Sequence, residues 1–209
     1  MDAFLAALDQ AKSDRLAKLA STTETAAEPQ RLLQVALANE INVSELAALW
    51  VATTPEIDVK LAFARQAGDE ANHFNLVGDR LTALGVDVAG FRPPEPNPMF
   101  VYLRSLAATV ERIAGGLYAL EAIAYAVNET FIAFCTSRGD DETVRIYREY
   151  IQPDERTHHE LGKRLLAKYA TSAADQALAH ATASRVFDLA ITTRAAAATK
   201  LGATCFPGC

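Results

Sequence analysis

Two short runs, Asp69-Glu70-Ala71-Asn72-His73 and Asp154-Glu155-Arg156-Thr157-His158, each set a glutamate three residues before a histidine. On an α-helix, residues three apart share a face, so both side chains can reach one point. On a strand the same two residues point to opposite faces. With 14 Glu and four His in 209 residues, fewer than one such pair is expected by chance, and both pairs here follow an aspartate. Around Glu70, Phe63, Ala67, Phe74, Val77 and Leu81 fall on its own side of a helix. A Glu and a His centred on an apolar stripe are costly unless paired or bound to metal. The pair at Glu155 and His158 is less tidy. Pro153 deletes a backbone donor two residues before Glu155 and bends the helix, which leaves a solvated helix start as the alternative there.

Composition agrees with a helical chain. Half the residues are apolar, Ala makes up roughly a fifth, and Gly and Pro are few, a bias toward helix because Ala loses least on entering one. No strand pattern is found, so the fold class is all-α. Net charge −6 gives no electrostatic footprint for nucleic acid or anionic lipid. The longest apolar run, Ile113 to Val127, is interrupted by Glu121 and falls short of the ~18 residues of a membrane span. The opening Met-Asp-Ala-Phe lacks the basic region of a signal peptide, and three Cys make no disulfide framework. A cytoplasmic protein without a membrane partner is expected.

Gly and Pro punctuate the chain into one domain over 1–209. An amphipathic N-terminal helix covers 2–20. A core of four helices covers about 29–169, and an Ala-rich C-terminal helix covers 173–200. The first core helix runs from Pro29 to about Ala52. Thr53-Thr54-Pro55-Glu56 then predicts a second, with Pro at its first position, running to Leu84. Four prolines between Gly85 and Pro98 stiffen a linker able to reach ~40 Å, the length of a 27-residue helix. Such a linker can cross the bundle and leave the second and third core helices parallel. The third is predicted from Met99 to Ser137, and the fourth from Asp140 to about Tyr169.

The partner helices should offer acids at the same height. Glu40 lies 14 residues before the turn at Thr54 and Glu70 lies 16 after it, level to within ~3 Å. About Gly139, Glu121 lies 18 before and Glu155 16 after, so Glu121 is the level acid. Glu45 and Glu129 are the fallbacks.

The ordered set Glu40, Glu70-x-x-His73, Glu121, Glu155-x-x-His158 resembles the ferritin-like di-iron carboxylate superfamily over about 29–169. The resemblance implies a four-helix bundle with a long crossover and all six residues as metal ligands. Two iron ions, or manganese, or a mixed pair, would neutralise the four carboxylates. Glu40 to Glu70 spans 30 residues and Glu121 to Glu155 spans 34. That unevenness, with Asp before Glu, looks more like ribonucleotide reductase small subunits and bacterial multicomponent monooxygenases than bacterioferritins. The branch implied activates O₂ to oxidise or hydroxylate a small organic substrate, with an external electron donor and a homodimeric assembly. Iron handling by a ferroxidase or storage protein is the alternative, and a metal-binding helical module without catalysis is a third.

By the same resemblance, Asp69 and Asp154 each accept a proton from the His of the opposite motif. His159 points away from His158 as a surface or inter-helix residue, and His180 is uninvolved. Gly115-Gly116 marks close helix packing, with a π-bulge or a substrate vestibule as the alternative. Tyr118 and Tyr125 sit on the face of Glu121, as core aromatics or, alternatively, as a redox-active or ligand-bonding pair. Cys205 and Cys209 form no zinc site and are expected as a free or adventitiously oxidised tail.

Overall fold

The computed structural model describes residues 1–19, 27–205 and 207–208. All regular structure among them is helical. The helices are α1 (Asp2–Leu19), α2 (Pro29–Thr53), α3 (Ile57–Ala83), α4 (Pro98–Arg104), α5 (Thr109–Ser137), α6 (141–169) and α7 (Ala173–Leu201). Two of them contain π-helical stretches, Ile113–Leu120 in α5 and Tyr147–Ile151 in α6. Residue 20, where the N-terminal helix is expected to end, lies outside the described residues.

Three features differ from the sequence expectation. α3 begins at Ile57, with Pro55 in the connection rather than at the first helical position. The connection instead anchors α5: Arg112 donates to the Thr54 hydroxyl at 3.1 Å, and Thr109 donates to Glu56 at 2.6 Å. The helix expected from Met99 to Ser137 is broken into α4 and α5. Side chains satisfy the backbone at the break, since Glu111 accepts from Ala108 N–H at 2.9 Å and Arg112 donates to Leu106 C=O at 3.1 Å. In α6 a π-helical stretch, Tyr147–Ile151, ends two residues before Pro153, where the sequence predicts a bend.

Helix directions follow from contacts at the two ends. Thr109 and Arg112, opening α5, meet the residues that precede α3. At the other end, Arg80 of α3 donates to Asp140 at 2.7 Å and to Thr143 at 2.9 Å, just beyond the close of α5. α3 and α5 therefore run in the same direction, and the proline-rich connection with α4 returns the chain along their length. α2 and α5 are each long and apolar enough to cross a membrane, but half or more of each apolar window is buried within the protein.

The core is layered. One apolar cluster gathers Val43, Trp50, Val59, Phe63 and Leu117 with α1 and α7. A second gathers Leu33, Leu37, Val77, Leu81, Phe131 and Tyr147. Along α2, α3 and α6 a band of buried polar residues separates the two clusters.

Candidate metal centre

That band contains Glu40 of α2, Glu70 and His73 of α3, and Glu155 and His158 of α6, and Glu121 of α5 joins them. All six are at most 3% exposed. They form two overlapping groups, Glu40–Glu70–His73–Glu155 and Glu70–Glu121–Glu155–His158. Within each group one ligand atom per residue lies within 4.8 Å of all the others. Glu70 and Glu155 belong to both.

Each imidazole turns Nδ1 inward. His73 Nδ1 lies 3.2 Å from Glu70 and 3.6 Å from Glu40. His158 Nδ1 lies 3.5 Å from Glu70 and 3.6 Å from Glu121. The outer nitrogens reach across the bundle, His73 Nε2 to Asp154 at 3.3 Å and His158 Nε2 to Asp69 at 2.9 Å. An ionised carboxylate only accepts, so each Nε2 carries the proton and each Nδ1 can present a lone pair inward. Arg65 lies between the two aspartates, 3.1 Å from Asp69 and 4.0 Å from Asp154.

The electrostatics describe a site short of positive charge. Burial, then the charge of Glu70, pushes Glu40 up to about 8. Burial, with the charges of Glu70 and Glu121, pushes Glu155 well above the carboxylate range. Burial also acts to raise Glu70, but the two histidines outweigh it and hold Glu70 low. Burial lowers both imidazoles, yet the surrounding carboxylates prevail, raising His73 well above its ordinary value and His158 to about 11. In the metal-free chain the cluster therefore holds protons in place of cations.

Three inward atoms, Glu70 Oε1, Glu155 Oε2 and His158 Nδ1, are buried without a hydrogen-bond partner. Unpartnered buried polar groups cost roughly 1–3 kcal/mol each. Converging carboxylates and imidazoles are the donor set of iron, manganese and zinc sites, so the residues fit divalent cations. Beside them lies a cavity of ≈ 10 Å³, the room of about one water-sized sphere, lined by Glu40, Glu70, Glu121 and Glu155 among others.

The neighbouring candidates are sorted by the fold. Glu45 and Glu129 point outward, into pairs with Arg104 at 3.1 Å and Arg148 at 2.7 Å. His159 is an inter-helix residue, largely buried, accepting from Lys12 at 3.0 Å and donating to Tyr118 C=O at 2.8 Å. Burial and Lys12 lower its pKa and keep it neutral. His180 is half-buried on α7, outside the cluster. Tyr118 turns toward α1 and donates to Asp9 at 2.9 Å. Tyr125 is half-buried, and its carbonyl accepts from Gln152 at 3.1 Å. Cys205 is buried rather than free in solvent, and Cys209 lies outside the described residues.

Gly115-Gly116 marks close packing within a π-helical stretch: a Cβ on Gly116 would lie 2.5 Å from the Trp50 ring. Sequence reasoning missed three neighbours. Gln66, 1% exposed, donates to Glu121; its position one turn before Glu70 on the same face was an available signal. Tyr147 is buried with an unpartnered hydroxyl, and burial and the nearby charges of Glu40 and Glu155 raise its pKa. Asn128, fully buried on α5, is the third.

Comparisons with protein-family models, with curated proteins and with solved structures return no match to this chain.

Proposed function

We propose that the six residues hold two iron ions in a ferritin-like bundle, and that this centre activates O₂ to oxidise or hydroxylate a small organic substrate. The observation that carries the proposal is the pair of buried ligand groups sharing Glu70 and Glu155. Glu40 and His73 would serve one ion and Glu121 and His158 the other, with the shared carboxylates between them. The parallel run of α3 and α5 supports the ferritin-like arrangement, because antiparallel hairpins joined by a long crossover have that form. Manganese, or a mixed pair, satisfies the same donors.

When bound and reduced, the iron pair supplies electrons to O₂, and an external donor must restore them. The chain's own part is positioning. Asp69 and Asp154 hold the Nε2 protons outward, Gln66 orients one Glu121 oxygen, and the flanking apolar layers exclude water. A homodimer in the cytoplasm, without nucleic-acid or membrane partners, belongs to the same proposal, in keeping with a net charge of −6.

One observation favours iron handling as a second reading. The cavity has room for a water-sized molecule and not for an organic one. Metal analysis of protein purified from its host separates the readings. Two irons per chain in a small assembly support the oxidase. Many irons per chain in a large hollow assembly support storage, and no bound transition metal overturns both.

A further inference from the structure

The two ligand groups share Glu70 and Glu155, and each has two residues of its own: Glu40 and His73 in one, Glu121 and His158 in the other. What stands behind those four side chains differs. Gln66, 1% exposed, donates its amide to Glu121. Among the described residues no side-chain amide is hydrogen-bonded to Glu40, whose neighbour is His73 Nδ1 at 3.6 Å. The histidines differ at both nitrogens. Inward, His158 Nδ1 is buried without a hydrogen-bond partner, whereas His73 Nδ1 is bonded to Glu70 at 3.2 Å. Outward, Asp69 Oδ2 accepts twice, from His158 Nε2 at 2.9 Å and from Arg65 Nε at 3.1 Å. Asp154 accepts from His73 Nε2 at 3.3 Å, and Arg65 comes only within 4.0 Å of it.

Each difference favours the same side. A carboxylate already aimed by an amide, and an imidazole held by a doubly bonded aspartate, lose little freedom when a cation arrives, and freedom lost on binding is subtracted from affinity. His158 Nδ1 can present a lone pair without giving up a bond, and a cation there supplies the partner that the buried atom lacks. On the other side His73 must exchange its bond to Glu70 for the metal, and Glu40 has no amide to aim it. The second cation also meets the charge of the first across shared carboxylates.

We propose that the two metal positions are unequal and load in order: the Glu121–His158 position takes the first cation, and the Glu40–His73 position takes the second and is the first to lose it. Gln66 and, through Asp69, Arg65 are the positioning residues that set this order. That these positions hold metal rests on the function proposed above; that they are unequal rests on the contacts just described.

Zinc suits the same donors and is diamagnetic, so it tests the order in the unaltered chain. In isotope-labelled protein, nuclear magnetic resonance assigns each imidazole through bonds to its own backbone. The first equivalent of zinc should move the His158 ring nitrogens to their metal-bound positions, and the second should move those of His73. Movement of His73 first, or of both rings together, overturns the order and leaves the centre standing. No zinc bound overturns the centre and the order with it. Two variants then test what sets the order. Gln66→Leu should weaken binding at the His158 position by about fivefold or more and change the His73 position by less than about twofold. Arg65→Gln should act in the same direction by about twofold to fivefold, since its ion pairs are partly exposed. Equal weakening at both positions, the mark of a general loss of packing, removes the positioning role from Gln66 and Arg65. The titration of the unaltered chain does not depend on either variant folding.

Discussion

The two hairpins that meet at the cluster deliver the same residue types by different means. α2 and α3 are regular α-helices through their site-bearing turns. α5 and α6 approach through π-helical turns, one ending at Leu120 beside Glu121 and the other at Ile151, one turn before Glu155. A π turn inserts a residue and so rotates everything after it by ~100° relative to an α-helix. The Tyr147–Ile151 stretch lies within the longer Glu121–Glu155 span and takes up part of its four-residue excess over Glu40–Glu70. The widened turns also make their half crowded. A Cβ on Gly162 of α6 would lie 2.7 Å from the backbone of Leu117, whereas Gly68 of α3 faces open space and Gly78 meets only Leu37 at 3.7 Å. Equal chemistry is thus reached through unequal backbones, and the irregular half depends more on small residues.

The largest expected effect tests whether the shared and unshared carboxylates differ. Glu155→Ala removes a carboxylate common to both groups and should abolish tight binding of at least one metal; Glu40→Ala should spare the Glu121–His158 side. Metal content after dialysis checks both, and unchanged occupancy in Glu155→Ala would mean that the ligand assignment is wrong. The crossed aspartates come next. Asp69→Asn should weaken the His158 side and Asp154→Asn the His73 side, each by about 10–100-fold in affinity, as calorimetric titration would read. An effect on the aspartate's own helix would break the crossed arrangement.

Loading must also displace protons, because Glu40, Glu155 and both histidines have folded-state pKa values raised above their ordinary ones. Apparent metal affinity should therefore rise from pH 6 to pH 8 with net proton release. Titration in buffers of different ionisation enthalpy measures that release directly.

The glycines sharpen the backbone contrast. Gly162→Ala should destabilise by about 1–3 kcal/mol through overpacking, while Gly68→Ala should stabilise by up to about 1 kcal/mol. Urea midpoints decide, and equal effects would remove the distinction between the halves. The smallest effect lies outside both hairpins. Asp9 docks α1 through Lys163 and Tyr118 and pairs with Lys12 of its own helix; burial raises its pKa, but these partners outweigh it and hold it at about 2. Its contribution is present above the ordinary value near 3.8 and is lost as pH falls through 2. With a third of the side chain exposed, Asp9→Asn should cost only about 1 kcal/mol at pH 7 and nothing below pH 2.

Much of the centre was legible because helical spacing is a local code. Glu70–His73 and Glu155–His158 each needed only i and i+3, and Glu40 needed only a count of residues to a turn. That arithmetic failed inside the π-helical stretch. Tyr118, three residues before Glu121, does not share its face there and points to Asp9 instead. Tyr147, far from Glu40 in sequence, is the tyrosine whose charge environment the cluster sets.

By itself, the sequence determined the helical class and the six acid and histidine positions, because each is a matter of period and rise along a helix; the crossed aspartates were implied by the resemblance alone. The tertiary structure alone decided that Gln66 bonds to Glu121, that Trp50 fills the space left by Gly116, and that Gly208 closes the cavity. Those depend on which residues distant in the chain are brought within a few ångströms, and no local periodicity encodes that distance.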